Sequence, residues 1–215
     1  MQTSDLQHKL DWIKLLESYY KMSNKKLGQF PLIHSLSLIP KNKKIHTLWD
    51  ATLGFGGDSL LLYVYALRNN IKLCSFERDP VLFPLCLQAF EQLTQNFPVI
   101  EDTWKIYSGS CIDSIFSHLH LPSLIYYDPM YPKHVKKTKS SKEMELLKLL
   151  VRNDDEEFEK RDKIEFIEKA LTLCEIGILC KKSKKSGGYH PNLLSKSFPY
   201  ESSVFDFYQS LSLKR

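Results

Sequence analysis

The chain has 215 residues, 43% of them hydrophobic, so it can bury one sizeable core and does not require a second domain. Its five cysteines form no Cys-x-x-Cys pair and no cysteine–histidine cluster at zinc spacing, and no run of about 18 apolar residues is present, which argues against a metal site and a membrane span. The N-terminal residues do not resemble a signal peptide, so we expect a cytoplasmic protein. The formal net charge of +5 is modest, but lysine-rich segments concentrate it.

The N-terminal segment has the pattern of an amphipathic helix. Apolar residues recur at helical spacing between residues 5 and 21, at Leu6, Leu10, Ile13, Leu16 and Tyr20. We expect this helix to pack on the body of the protein. With the linker that follows, it forms an N-terminal segment at 1–30, ahead of a domain that we assign to residues 31–215.

The first predicted strand, residues 45–49, leads into a glycine-rich turn. Gly54, Gly56 and Gly57 precede a helical stretch that starts at Ser59. Glycines let a cofactor approach the backbone, and the amides at the start of the helix face a polar ligand. The spacing differs from the Gly-x-Gly-x-x-Gly of dinucleotide sites, which disfavours a nicotinamide-dependent oxidoreductase. A plain strand-to-helix connection would show the same glycines.

The second predicted strand, residues 71–76, ends in an acidic segment. A carboxylate at this place, about 20 residues past the glycines, holds the ribose diol of a bound nucleotide. Glu77 is therefore the predicted ribose ligand. The alternative role, a helix cap, fits Asp79 better because Pro80 follows it.

Another strand, residues 123–127, is almost continuously apolar and is predicted to be buried on both faces. It stops at a corner formed by Asp128, Pro129, Met130, Tyr131 and Pro132. Such a corner faces the ligand crevice of a parallel sheet. Asp128 and nearby carbonyls, including that of Pro129, can accept the hydrogens of a planar exocyclic amine, and Tyr131 can stack on a base. The alternative is a proline-rich loop with a surface tyrosine.

The remaining pattern completes a sheet. Helices are expected at residues 139–152 and 157–173, a strand at 176–180, and a closing pair of strands at 195–198 and 203–208. The prediction is an α/β, Rossmann-like fold, with a seven-stranded, mostly parallel sheet and helices on both faces.

Two basic segments follow strands on the predicted ligand rim. A basic rim suits a phosphate backbone, although each run alone is typical of a solvated loop. The candidate RNA-binding residues are Lys133, His134, Lys136, Lys137, Lys139 and Lys142 after the corner, and Lys182 after the strand at 176–180.

The combined motifs closely resemble the ribosomal RNA small subunit methyltransferase J family over roughly residues 24–210. The matching segments are 50–58, 76–80, 127–132, 142–144 and 205–208. The resemblance implies a class I methyltransferase fold, S-adenosylmethionine as the methyl donor, and 16S ribosomal RNA or the small subunit as the partner. The implied product is methylated at the N2 amine of a guanosine near the 3′ end.

The resemblance also implies a donor site. Its residues are Gly57, Asp58, Glu77, Arg78, Ser110, Cys111 and Asp128, to which the turn adds Asp50, Gly54 and Gly56. The family usually has arginine at the position of Gly57 and serine at that of Cys111. Main-chain amides could make both contacts, and a change of side chain leaves those amides in place.

Other functions share parts of this pattern. An adenine-N6 or glutamine-N5 methyltransferase would use the same corner, and the basic rim argues against glutamine but not against adenine. A non-catalytic RNA-binding protein of the same fold would have lost cofactor binding, yet Glu77 and Asp128 are both present.

Overall fold

A computed structural model describes residues 11–40, 44–113, 119–129 and 156–210. Within these ranges the strands are β1 (Thr47–Asp50), β2 (Lys72–Glu77), β3 (Trp104–Ser108), β4 (Leu124–Tyr127), β5 (Gly177–Ser183), β6 (Leu194–Pro199) and β7 (Ser203–Gln209). The helices are α1 (Trp12–Tyr20), α2 (Asn24–Leu27), α3 (Pro31–Ser37), α4 (Gly57–Arg68), α5 (Leu82–Asn96), α6 (Ile100–Thr103) and α7 (Glu156–Leu173), and a 3-10 turn spans Pro191–Leu193.

The strands form one sheet in the order β3-β2-β1-β4-β5-β7-β6. The first five strands are parallel, and β7 runs antiparallel to β5 and β6. The predicted seven-stranded, mostly parallel α/β fold is thereby confirmed. The strand order reverses between β1 and β4, and ligands of such sheets bind at the carboxyl ends beside this switch point.

Apolar side chains cover both faces of the sheet. In β4, Leu124 and Tyr126 join a core with α1, α3, α4 and α5, whereas Ile125 and Tyr127 join a second core with α7. All four are buried. This explains the continuous apolar run in the sequence, because a strand covered on both faces needs apolar residues at odd and even positions.

The N-terminal helix belongs to the first core. Trp12 and Leu16 are buried, and the Trp12 ring stacks on Trp104 with the ring centroids 5.6 Å apart. Asp11 caps the helix by accepting a hydrogen bond from the Lys14 amide. The predicted packing on the body is confirmed for this helix, but Tyr20, which the pattern places on the apolar face, lies at its C-terminal end and is 60% exposed. The predicted start at residue 5 lies outside the described residues.

Strand β5 is longer than the sequence predicted. Instead of ending at Cys180 it continues through Lys181 and Lys182 to Ser183, because each of these residues pairs with β7 in an antiparallel ladder. The two lysines therefore lie in the sheet and not in the loop after it. The helix predicted at 139–152 falls outside the described residues. Among the helices that are described, none has the length and apolar character to cross a membrane.

Candidate active site

The glycine-rich turn connects β1 to α4 at the carboxyl edge of the sheet. Gly54 and Gly56 have φ values of 53° and 81°, in the left-handed region that favours glycine. The Leu53 amide donates to the Phe76 carbonyl at 2.9 Å, which ties the turn to the end of β2. Gly57, the first residue of α4, has open space where a Cβ would stand. The backbone here can be approached closely by a ligand.

The N-terminal helix α1 contacts this turn, which the sequence did not indicate. The indole nitrogen of Trp12 donates to the Phe55 carbonyl at 2.9 Å. A Cβ on Gly56 would lie 2.4 Å from the ring atom Cζ2 of Trp12. The Trp12 ring therefore fills the space that a side chain at position 56 would need.

Asp50 lies beneath the turn and is fully buried. One of its carboxylate oxygens accepts from the Ser59 hydroxyl and the other from the Thr52 amide at 3.1 Å. Burial raises the pKa of Asp50 to about 7, although both hydrogen bonds favour the charged form. Through these two hydrogen bonds Asp50 joins the turn to the first turn of α4. Its part in cofactor binding stays a prediction.

The buried Asp50 carboxyl makes stability depend on pH. Its ordinary pKa is 3.8 and its folded pKa is about 7. Between these values the folded state binds more protons than the unfolded state, so stability is expected to fall as the pH rises. Asp50→Asn stays neutral and keeps an acceptor for the Thr52 amide, so its slope should be shallower.

Urea unfolding at several pH values between about 4 and 8 measures this slope. The exposed Asp102→Asn is the matched control and should retain the wild-type slope. An unchanged slope in Asp50→Asn would show that other groups cause the pH dependence.

Glu77 ends β2 beside the turn, and its carboxylate is held by two amides. One oxygen accepts from Asp79 and the other from Gly54, both at 2.9 Å. Each oxygen retains a second lone pair, as a diol ligand requires. Burial raises the pKa of Glu77 against the effect of these two hydrogen bonds. The Asp79 carboxylate accepts from the Val81 and Leu82 amides, which confirms its predicted role as a cap.

The other predicted donor residues flank this edge. Arg78 is exposed and its guanidinium is 2.6 Å from the Asp162 carboxylate on α7. The Ser110 amide donates to Asp113 at 2.9 Å, and Cys111 is buried. A main-chain contact of Cys111 with the cofactor stays a prediction. Burial raises the pKa of its thiol far above the ordinary value.

Asp128 follows β4 at the same edge. Its amide donates to the Thr52 hydroxyl at 2.8 Å, so the corner is joined to the glycine-rich turn. The carboxylate oxygen Oδ2 is 2.8 Å from Lys181 Nζ. Burial raises the pKa of Asp128 to about 6, and the Lys181 ammonium opposes that rise. Pro129, the next residue, is buried.

Lys181 also contacts Asp58, in the segment 51–58 that links β1 to the start of α4 and forms the predicted donor turn. Its Nζ is 2.7 Å from Oδ2 of Asp58 on α4, and the Tyr126 hydroxyl donates to the same oxygen at 2.5 Å. Burial alone would lower the pKa of Lys181, but Asp128 and Asp58 outweigh it and raise the pKa. The structure thus brings two predicted residues, Asp58 and Asp128, together through a lysine that the sequence did not single out.

Lys182 lies on the opposite face of the sheet. Its Nζ is 2.6 Å from the buried Asp206 carboxylate, and only 11% of its side chain is exposed. This differs from the exposed rim cation that the lysine run suggested, because successive residues of a strand point to opposite faces. The other predicted RNA contacts, Lys133, His134, Lys136, Lys137, Lys139 and Lys142, lie outside the described residues, as does Tyr131.

The described residues were also considered as metal ligands. Over the described ranges, no group of three or more His, Cys, Asp or Glu side chains is arranged to hold a metal ion. The carboxylates at the edge of the sheet are instead occupied by amides, hydroxyls and one ammonium group.

Curated relatives agree with the motifs. Proteins named "Ribosomal RNA small subunit methyltransferase J" from Aeromonas salmonicida, Desulfotalea psychrophila and Dechloromonas aromatica are 25, 26 and 30% identical to this chain. The matches cover 78, 88 and 77% of the chain, and 64, 69 and 64% of the relatives' own lengths. The chain thus spans only about two thirds of these proteins. The resemblance drawn from the motifs is confirmed.

Solved structures share the fold. A SAM-dependent methyltransferase from Neisseria gonorrhoeae superimposes with a TM-score of 0.61 at 18% identity, over 94% of this chain and 74% of that one. The rRNA methyltransferase aviRa from Streptomyces viridochromogenes gives 0.54 at 10% identity, over 92% of both chains. A family model described as "Putative SAM-dependent methyltransferase" matches residues 21–210. The chain therefore belongs to this family of S-adenosylmethionine-dependent methyltransferases.

Proposed function

We propose that the protein uses S-adenosylmethionine to methylate the N2 amine of a guanosine in 16S ribosomal RNA. One observation carries the proposal: the amine-binding corner at Asp128 and the donor turn at Asp58 meet at one edge of the sheet, joined by Lys181. The choice of small-subunit ribosomal RNA as the substrate follows the names of the relatives. In this role the protein acts in the cytoplasm, where ribosomes are assembled.

The residues of the turn suit the cofactor. Gly54 presents backbone without a side chain, and Gly57 leaves open space, while Gly56 shapes the turn against Trp12. Each Glu77 carboxylate oxygen accepts one hydrogen bond from the described residues, which leaves a lone pair for a ribose hydroxyl. Arg78, Ser110 and the main chain of Cys111 complete the proposed donor site, with Asp58 and Asp128. When bound, S-adenosylmethionine supplies an electrophilic methyl group on its sulfonium sulfur.

The corner would prepare the acceptor nitrogen. The lone pair of a guanine amine is delocalised into the ring, so the amine must become more pyramidal in order to react. Asp128 and the Pro129 carbonyl would accept its hydrogens and stabilise the positive charge that develops there. Methylation makes the nitrogen acidic, so it loses one proton without a strong base. Tyr131 would support the base by stacking.

A basic surface would hold the RNA. We assign this role to the segment after the corner, which carries Lys133, His134, Lys136, Lys137, Lys139 and Lys142. Lysines that contact phosphates release bound counterions, so RNA binding should weaken as the salt concentration rises. Either free 16S RNA or the small subunit would serve as the partner.

A methylation assay tests the proposal. The purified protein is incubated with S-adenosylmethionine and with small subunits, free 16S RNA or adenine-containing DNA, and the nucleosides are analysed by mass spectrometry. The substrates should come from cells that lack the modification. We expect N2-methylguanosine in 16S RNA, supplied either free or within the small subunit, and no methylated product in the DNA. The modified guanosine should lie in the 3′ region of the RNA.

Two other outcomes would redirect the proposal. N6-methyladenine in any substrate would favour the adenine-N6 alternative, since Asp128 can accept the hydrogens of that amine as well. Binding of RNA without binding of S-adenosylmethionine in a calorimetric titration would favour the non-catalytic RNA-binding alternative. In that titration NADH is the control ligand and should not bind.

A further inference from the structure

Lys181 has a place in this site that neither the motifs nor the relatives' names assign. Its ammonium group bridges Asp58 Oδ2 at 2.7 Å and Asp128 Oδ2 at 2.8 Å, and a quarter of its side chain is exposed. We propose that Lys181 is a positioning residue that holds the Asp128 carboxylate in its charged form at the amine corner and couples it to the donor turn. The inference rests on the proposed function.

The strand register brings Lys181 to this point. Tyr127 of β4 pairs with Cys180 of β5 in a parallel ladder, so the next residues, Asp128 and Lys181, follow side by side at the edge. Lys181 shares a face with Leu179, which packs in the same core as Tyr126 and α4. The register of β4 and β5 therefore places the Lys181 ammonium group at the carboxyl edge of the sheet, next to Asp128.

The contact leaves Asp128 able to serve a substrate. Lys181 engages Oδ2, and within the described part of the chain Oδ1 receives no hydrogen bond. An ammonium group has three donors, and the described residues use two of those of Lys181, which leaves one N–H for a ligand. A carboxylate held through one oxygen keeps the other directed for an amine hydrogen.

The local charges explain why a cation is needed. Two charged groups face Asp128, namely Asp58 from α4 and Lys181 from β5. The Tyr126 hydroxyl from β4 donates to Asp58, and the Asp50 carboxyl of β1 lies near Asp58. Among the described residues, Lys181 is the cation that pairs with both carboxylates. If it is removed and no other cation replaces it, one of the two carboxylates should become protonated. A protonated Asp128 would be a weaker acceptor for the amine.

The test compares Lys181→Met with Lys181→Arg. An opposite charge at this distance shifts a carboxyl pKa by about 1–3 units, so in Lys181→Met the acid limb of the single-turnover pH profile should move upward by at least about one unit. At a pH well below the wild-type limb the rate should fall by about 10-fold or more, and it should recover at higher pH. Lys181→Arg should retain most of the wild-type profile. Lys181→Gln serves as a second neutral variant.

The matched control is Lys182→Met. It makes the same change on the same strand, but its partner is Asp206 on the other face, so the acid limb should stay at the wild-type pH even where stability falls. An acid limb that does not move in either neutral variant, with the protein folded by circular dichroism, overturns the proposal. So does an equal shift in Lys182→Met.

A substrate-free measurement separates this proposal from the proposed function. Carbon-13 NMR of labelled aspartate follows the titration of the Asp128 carboxyl in the wild type and in Lys181→Met, with Asp128→Asn to assign the signal. A higher pKa in Lys181→Met supports the coupling even if no nucleic acid is methylated, a result that would refute only the proposed function. An unchanged pKa overturns the coupling whether or not methylation occurs.

Discussion

Replacing Asp128 with alanine is expected to reduce the methylation rate by about 10²–10³-fold, the usual effect of removing one preorganised polar group at a reacting centre. Binding of S-adenosylmethionine should weaken only a few-fold, because the glycine-rich turn and Glu77 remain. The protein should stay folded, since Lys181 keeps Asp58 as its partner. Single-turnover methylation and calorimetric titration measure the two effects.

The exposed Asp102→Ala is the control for Asp128→Ala. It removes a carboxylate of the same size from α6, far along the chain from the corner, and should leave the rate and the binding unchanged. Near-normal turnover in Asp128→Ala would rule out the proposed mechanism. Loss of cofactor binding together with turnover would assign Asp128 to the donor site alone.

Replacing Gly56 with alanine should have the largest effect on stability. The φ of 81° costs a residue with a side chain about 1–2 kcal/mol, and the overlap of its Cβ with Trp12 typically adds about 1–3 kcal/mol. The free energy of unfolding should therefore fall by about 2–5 kcal/mol, as measured by urea denaturation. Affinity for S-adenosylmethionine should fall as well, because the turn must shift.

The neighbouring Gly57→Ala is a matched control for stability. A Cβ there meets no atom within 4 Å, and the residue is helical, so alanine should be neutral or stabilise the protein by up to about 1 kcal/mol. Equal effects of the two variants would show that the turn does not depend on Trp12. Trp12→Phe, which removes the hydrogen bond to Phe55, then measures how much that contact contributes.

The contact between Trp12 and the turn gives the N-terminal helix a role in the site. Trp12 stacks on Trp104 and hydrogen-bonds to Phe55, so the helix links the edge of the sheet at β3 to the donor turn. Its effect on cofactor binding would be exerted through the backbone and not through a direct contact. The helix thus contacts the glycine-rich turn as well as the hydrophobic core.

Short-range patterns in the sequence were sufficient to predict most of the fold. The apolar run that ends at Asp128, the glycines after β1 and the acidic residue after β2 each depend on a few adjacent residues, and all lie at the carboxyl edge as expected. The role of Asp79 as a helix cap was also predictable, because Pro80 follows it directly. Such features follow from local backbone preferences.

Contacts between distant residues depended on the tertiary structure. Lys181 meets Asp58, 123 residues away, and Asp128, 53 residues away, while Trp12 meets Phe55 across 43 residues. The sequence predicts that the strand ends at Cys180 and that Lys182 lies after it, but pairing with β7 extends the strand. Lys181 and Lys182 therefore point to opposite faces of the sheet. Periodicity shows which residues can share a face, but only packing and strand register decide which of them touch.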